Sequence, residues 1–253
     1  MNILISNDDG YDARGIQTLI SRLECDGHHL FVAAPATQQS AKSHSITLHD
    51  TLQCRRVKEN HYKINGTPAD CVLIAKRLLF KEEKIDLVIS GINRGQNIGE
   101  DIYYSGTVAA AREGSFHGYK AIAISQMGFD ATDFDLAAEF IAQAIQNGLA
   151  DFILEKEFLN INVPDISREQ LQGVAVTYLG HREFVGFNQG REIEEGVIEF
   201  EFGLEDIVYQ HDAGSDIQAV HEKKISITPV FANFTNQCSL DKLREWKFLG
   251  EFK

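Results

Sequence analysis

The sequence predicts an α/β fold, a Rossmann-like, doubly wound and mostly parallel sheet with a projecting C-terminal β-hairpin and a terminal helix. Three observations carry that expectation. Short, predominantly apolar runs recur at residues 3–5, 29–34, 85–90 and 121–125, as suits strands buried on both faces of a parallel sheet. Stretches with apolar residues at helical spacing lie between several of them, which gives the β-α-β repeat. The first and third runs stop abruptly in polar, glycine-bearing turns, and ligand sites of open α/β sheets lie just beyond such strand ends.

Composition sets limits. At 253 residues the chain suffices for one large α/β domain with an appendage or for two small domains. It is read as a core over 1–150 that residues 151–253 complete, with a projecting hairpin whose apolar face needs cover from a partner subunit or from its own domain. A formal charge of −13 argues against a partner that is a nucleic-acid polymer, which needs an extended basic footprint. Cys25, Cys54, Cys71 and Cys238 show neither a Cys-x-x-Cys pair nor zinc spacing, so they read as free thiols in a reducing compartment. With no signal-type leader and no apolar run of membrane length, the expected address is the cytoplasm, away from membranes.

Strand one ends in Asn7, Asp8, Asp9 and Gly10. Adjacent carboxylates at a sheet edge repel, and a divalent cation or a shared proton relieves them; Mg²⁺ and Mn²⁺ prefer such oxygen ligands. The same residues suit a plain polar turn with one Asp capping the next helix, and this stretch alone does not choose. Ile16, Leu19, Ile20 and Leu23 predict a helix over 13–25, stopped at Gly27, and residues 29–34 the second strand. No Gly-x-Gly-x-x-Gly follows strand one, which disfavours dinucleotide binding.

Residues 35–49 form a polar loop with four hydroxyl side chains from Thr37 to Ser45. Ser40 can offer its hydroxyl to a metal and His44 a donor or proton carrier to a phosphate; both also suit an ordinary surface loop. Alternating runs at 47–57 and 62–64 predict a β-ribbon closed by Asn65-Gly66. Thr67-Pro68 opens a helix that ends near Phe80. After the strand at 85–90, Gly91, Gly95 and Gly99 space a loop that presents Asn93 and Asn97, whose amides suit a cation or a phosphate. Ser105, Gly106 and Thr107 then precede an alanine-rich helix, and the N-terminus of such a helix favours an anion.

The remainder reads as a strand at 121–125, a helix over 134–145, strands at 159–163 and 173–179, and a hairpin across 184–202 turning at 188–190. Seven acidic residues from Glu192 to Asp206 read as a solvated face. A late strand starts at Ser226 and is stopped by Pro229, and a helix closes the chain over 240–246.

Taken together, Ser-Asn-Asp-Asp-Gly at 6–10, Ser40 followed by Ser-His-Ser at 43–45, Asn-Gly-Thr-Pro-Ala-Asp-Cys at 65–71, Ser-Gly-Ile-Asn-Arg-Gly-Gln-Asn at 90–97 and Tyr-Ser-Gly-Thr-Val-Ala-Ala-Ala-Arg-Glu-Gly at 104–114 resemble the SurE family of nucleotidases. Asn-Ile-Asn-Val-Pro at 160–164 and Ser-Ile-Thr-Pro at 226–229 continue the resemblance. It implies a metal-dependent phosphomonoesterase acting on nucleoside 5′- and 3′-monophosphates, often with exopolyphosphatase activity. It implies one divalent ion per subunit, Mn²⁺ or Mg²⁺, on Asp8, Asp9, Ser40 and Asn93. Asp8 and Asp9 would be the catalytic pair, Asn97, Ser105, Gly106 and Thr107 the phosphate-binding groups, and His44 an accessory on a lid. It also implies a homodimer or homotetramer built through the C-terminal segment. Two departures stand out. Ser43 occupies the place where the family usually has glycine before His-Ser, and Lys223-Lys224 precede Ser-Ile-Thr-Pro where glycine and an aromatic are common.

The implied chemistry is in-line attack of water on phosphorus, or passage through an aspartyl-phosphate on Asp8 or Asp9. A Mg²⁺-binding signalling receiver also pairs acids after strand one. It needs an acceptor Asp at a middle strand, where this chain has Ser90-Gly91. A nucleotide-binding module without catalysis would use the same ligands.

Overall fold

The computed structural model describes residues 1–184, 190–200 and 207–246. Strands β1 (Asn2–Ser6), β2 (His29–Pro35), β5 (Leu87–Arg94), β6 (Lys120–Gln126) and β7 (Glu157–Val163) run parallel in the spatial order β2-β1-β5-β6-β7. The ribbon β3 (Cys54–Lys58) and β4 (His61–Ile64) extends the sheet beyond β2. At the other end, β13 (Ile225–Phe231) lies antiparallel to β7 and parallel to β8 (Val174–Val176), giving nine strands in one sheet among the described residues.

Helices cover both faces. The apolar stripes of α1 (Arg14–Cys25) and α4 (Asp135–Gln146) pack with Ile3, Ile5, Ile89, Ile122 and Ile124 on one face. On the other, α2 (Pro68–Ile74) and α3 (Gly106–Phe116) pack with Leu4, Phe31, Val88 and Ala123. Alternate residues of each strand feed opposite cores, which is why these strands read as continuous apolar runs. α2 opens with a capping box in which Thr67 Oγ1 accepts the Asp70 N–H and Asp70 accepts the Thr67 N–H. No helix among the described residues is long and apolar enough to cross a membrane.

Several expectations shift. The β3–β4 ribbon turns at Glu59-Asn60, with Asn60 at φ 57°, while Asn65-Gly66 follows β4 and leads into α2. Thr47 is spent on the Asp70 carboxylate through its amide and hydroxyl, so no strand begins there. β13 continues through Pro229, because β8 pairs with it only as far as Ile227. On that open side a residue without an N–H breaks no ladder. The hairpin turn expected at 188–190 falls partly outside the described residues. Within them β10 (Arg191–Glu194) and β11 (Val197–Glu199) pair antiparallel around Gly196, and β9 (Arg182–Phe184) pairs with β12 (Ile207–Tyr209). The terminal helix α6 begins earlier, at Gln237–Arg244, and the short α5 (Asp216–His221) has no counterpart in the sequence reading.

Ile89 is fully buried between β1 and β6. Ile89→Ala should therefore lower stability by about 2–5 kcal/mol, read as a lower urea midpoint at unchanged slope. Leu78→Ala, on an exposed helical turn, should stay within about 0.5 kcal/mol of wild type.

Candidate active site

The site begins where β1 leaves the core. Asp8 is 4% exposed, and its Oδ1 accepts a hydrogen bond from the Thr107 hydroxyl on α3. Asp9 Oδ2 accepts the Arg94 N–H at 3.0 Å. Both aspartates are thus held by elements far away in sequence. Between the pairs Ser90/Ala123 and Asn93/Ser125, β5 carries one more residue than β6. That bulge bends the strand end, and Asn93 lines the same cavity as Asp8.

Gly106 makes the approach of β1 to α3 possible. A Cβ there would stand 2.8 Å from Asp8 Cβ, so any side chain would push the carboxylate off the helix end. Ser105 caps α3 by accepting the Val108 N–H at 3.1 Å. The positive end of the helix dipole therefore faces Asp8.

Asn97 sits in a clamp. Its carbonyl accepts from Asn160 Nδ2 at 2.7 Å and Asn162 Nδ2 at 3.0 Å, and its N–H donates to Asn162 Oδ1 at 2.8 Å. Its side-chain Nδ2 donates to Ser125 Oγ at 2.8 Å. Ser125, Asn160 and Asn162 are partners of Asn97 that the sequence reading did not assign. Their signal was two asparagines one residue apart on the same face of an otherwise apolar strand.

Asp8, Asn93, Asn97 and Ser105, all buried, and the exposed Ser40 line one cavity of about 870 Å³, which Asp9, Gly106 and Thr107 do not line. Its outer wall includes Tyr104, Phe129 and Arg182, together with Ile207 and Tyr209 of β12. Arg182 pairs with Asp101 at 2.9 Å and the Tyr209 hydroxyl donates to the same carboxylate at 3.2 Å. Asp101 thereby ties the β9–β12 ribbon to the segment preceding Ser105.

Burial, with a smaller push from the neighbouring Asp9 charge, raises the Asp8 carboxyl to about 6 against the Thr107 hydrogen bonds. Burial also raises Asp9, against the Arg94 N–H and guanidinium. Two compressed carboxylates are the environment that a bound cation relieves. The donors around them suit a hard ion. Asn93 commits its Nδ2 to Gly95 O at 2.8 Å, so its oxygen is what it can offer, and Ser40 Oγ already accepts from Gln38 Nε2 at 2.9 Å. Among the described residues no three His, Cys, Asp or Glu side chains cluster as metal ligands, and an all-oxygen set of two carboxylates, an amide and a hydroxyl fits Mg²⁺ or Mn²⁺ better than zinc.

The loop bearing Ser40 is tied down around Ser43, which adopts φ 52° while its N–H donates to Tyr104 O at 2.9 Å and its hydroxyl to Tyr103 O at 2.6 Å. His44 is not among the cavity-lining residues and packs on α3. Its Nε2 meets Glu113 Oε2 at 2.7 Å, Arg112 Nε donates to its Nδ1 at 2.7 Å, and Phe116 stacks on the ring. Glu113 also takes His117 at 3.0 Å.

Burial alone would raise the Glu113 carboxyl, but its bonds to His117 and His44 outweigh it and hold it down at about 2. A carboxyl lowered in the folded state stabilises the fold fully above its ordinary value of 4.5, and that contribution is lost as pH falls through the folded value. The stability gap between wild type and Glu113→Gln, up to about 3 kcal/mol at neutral pH, should narrow as urea titrations are taken from neutral pH toward pH 2. A gap that ignores pH would exclude the charge as its source.

Residues 3–186 match the family model described as Survival protein SurE. The "5'-nucleotidase SurE" of Actinobacillus pleuropneumoniae serotype 5b (strain L20) is 41% identical, the match covering 97% of this chain and 99% of that protein. The protein of the same name from Heliobacterium modesticaldum is 39% identical, over 97% and 92% respectively. The crystal structure of the SurE protein from Aquifex aeolicus superposes with a TM-score of 0.84 at 33% identity, covering 97% of this chain and 100% of that one. On sequence and fold together, this chain belongs to the SurE family.

Proposed function

We propose that this chain is a divalent-metal-dependent nucleotidase, a phosphoric monoester hydrolase that converts nucleoside 5′- and 3′-monophosphates to nucleoside and inorganic phosphate. The observation that carries the reading is the convergence of Asp8, Ser40 and Asn93, from three separate strand ends, with Ser105 at the N-terminus of α3 in one cavity. The names of the relatives, 5'-nucleotidase SurE, support the substrate class.

Asp8, Asp9, Ser40 and Asn93 would hold the ion, one per subunit. When bound, a divalent ion supplies charge compensation at the phosphoryl oxygens and acidifies water. The protein's own part is positioning. Thr107 fixes the rotamer of Asp8, the Arg94 N–H fixes Asp9, and Gly106 leaves room for Asp8 itself against the helix end. Asn97, immobilised by Ser125, Asn160 and Asn162, and the first turn of α3 hold the remaining oxygens so that attack and departure lie in line. The substrate arrives already anionic, and a site confined to one helix end lets an acidic protein accept it.

Residues 1–150 act as the catalytic core, and the rest completes the same domain, since β7, β13 and β8 join the sheet. Association as a homodimer or homotetramer through the C-terminal segment is supported by exposed Val197, Ile198 and Phe200 on the hairpin and by Phe231, Phe234 and Trp246 near the chain end. A cytoplasmic address is supported by four cysteines that are free.

Phosphate release from 5′-AMP and 3′-AMP by chelator-stripped protein should return on adding Mn²⁺ or Mg²⁺. Asp9→Asn, nearly isosteric, should fold normally and lose at least about 100-fold in turnover, the scale seen when one transition-state contact is removed. Full activity in that variant, or wild-type activity indifferent to chelation, would refute the assignment.

A further inference from the structure

The outer half of the cavity has a chemistry unlike its inner end. Tyr104 and Phe129 both line it, and their side chains are 56% and 54% exposed, although aromatic rings at a mouth without a partner gain by being covered. Each ring is fixed from behind. The Arg182 guanidinium carbon lies 5.4 Å from the Tyr104 ring centroid, and Arg182 is in turn paired with Asp101, so one face of the tyrosine is backed by an immobilised cation. Phe129 rests on the loop that carries Asn93 and Asn97. A Cβ on Gly95 would stand 2.7 Å from two of its ring carbons, so only glycine admits the ring at that place.

Asp101, Arg182, Tyr209 and Gln96 on this wall are engaged with one another. Asp101 holds Arg182 Nε and the Tyr209 hydroxyl, and the Tyr209 hydroxyl also bonds the Gln96 side chain. A wall of this kind offers ring faces before it offers edge-reading groups. Flat, apolar-faced heterocycles meet such a surface by stacking, which every nucleobase can do. The phosphate end and the aromatic end share one cavity, as a ligand with an anionic group at one end and a planar ring at the other requires.

We propose that Tyr104 and Phe129 form the nucleobase platform of this site, with Arg182 and Asp101 as positioning residues that hold Tyr104 in place. The assignment rests on the nucleotidase reading for the identity of the ligand, but binding of a nucleoside lacking any phosphate tests it without turnover. Titration calorimetry with adenosine, and with ribose as the baseless control, should show adenosine binding to wild type more tightly than ribose. Phe129→Ala and Tyr104→Leu should each weaken adenosine about tenfold, within the range for loss of one base–aromatic stack. Asp101→Asn should weaken adenosine less than Tyr104→Leu does. In phosphate release, the ratio of kcat/KM for 5′-AMP to that for ribose 5-phosphate should fall by a similar factor in both ring variants. Adenosine that binds wild type no better than ribose, or that binds both ring variants as tightly as wild type, overturns the platform. Failure of the nucleotidase reading shows separately, as absence of phosphate release by the wild-type protein with any divalent ion.

Discussion

The rest of the site is arranged around one unfavourable contact, two neighbouring carboxylates brought out of water at the end of β1. Burial and mutual repulsion oppose their ionisation, and an isolated pair would protonate or swing into solvent. The fold denies both escapes. Thr107 takes one oxygen of Asp8, the Arg94 amide takes one of Asp9, and α3 presents its positive end. Each of those partners needs its own backbone device, the bulge in β5 for Arg94 and the missing side chain of Gly106 for Thr107. The acidic turn therefore specifies much of the local architecture of three loops.

Much of this was legible in the sequence because it depends on local signals. An apolar run followed by Asp-Asp-Gly, a hydroxyl and glycine before an alanine-rich helix, and evenly spaced glycines each report a backbone requirement within a few residues. What stayed hidden depends on register between distant strands. That Asn160 and Asn162 reach Asn97 follows from β7 lying beside β6, which no short window encodes. Asp101 and Arg182 meet across a comparable separation. Pro229 misled for a related reason. Its penalty in a strand depends on whether a neighbour needs its N–H, and that is a property of the sheet edge.

The two departures from the family pattern share a physical explanation. Ser43 has φ 52° and Lys223 has φ 60°, left-handed conformations that glycine adopts without steric cost and other residues at about 1 kcal/mol or more. At Ser43 that cost is offset by a hydroxyl bond to Tyr103 O, which glycine cannot make. The substitution keeps the conformation and adds an anchor, so it leaves the path of the loop that carries Ser40 intact. Lys223 carries no comparable side-chain bond among the described residues, although its N–H donates to Val220 O at 3.0 Å.

The placement of β13 bears on how the protein emerges from the ribosome. The strands that carry Asp8, Ser40 and Asn93 are complete by Arg94, α3 by Phe116 and the asparagine clamp by Val163. β7 nevertheless waits for β13, which starts at Ile225 and lies between it and β8. At ~5–20 residues per second the outer edge of β7 stays unpaired for a time on the order of seconds, in a nascent chain whose strand would otherwise read Phe-Leu-x-Ile-x-Val. An unpaired apolar edge is an invitation to aggregate. Asn160 and Asn162 interrupt that apolar run, so the side chains that fix the Asn97 loop in the finished protein also break up an aggregation-prone segment while the chain is being made.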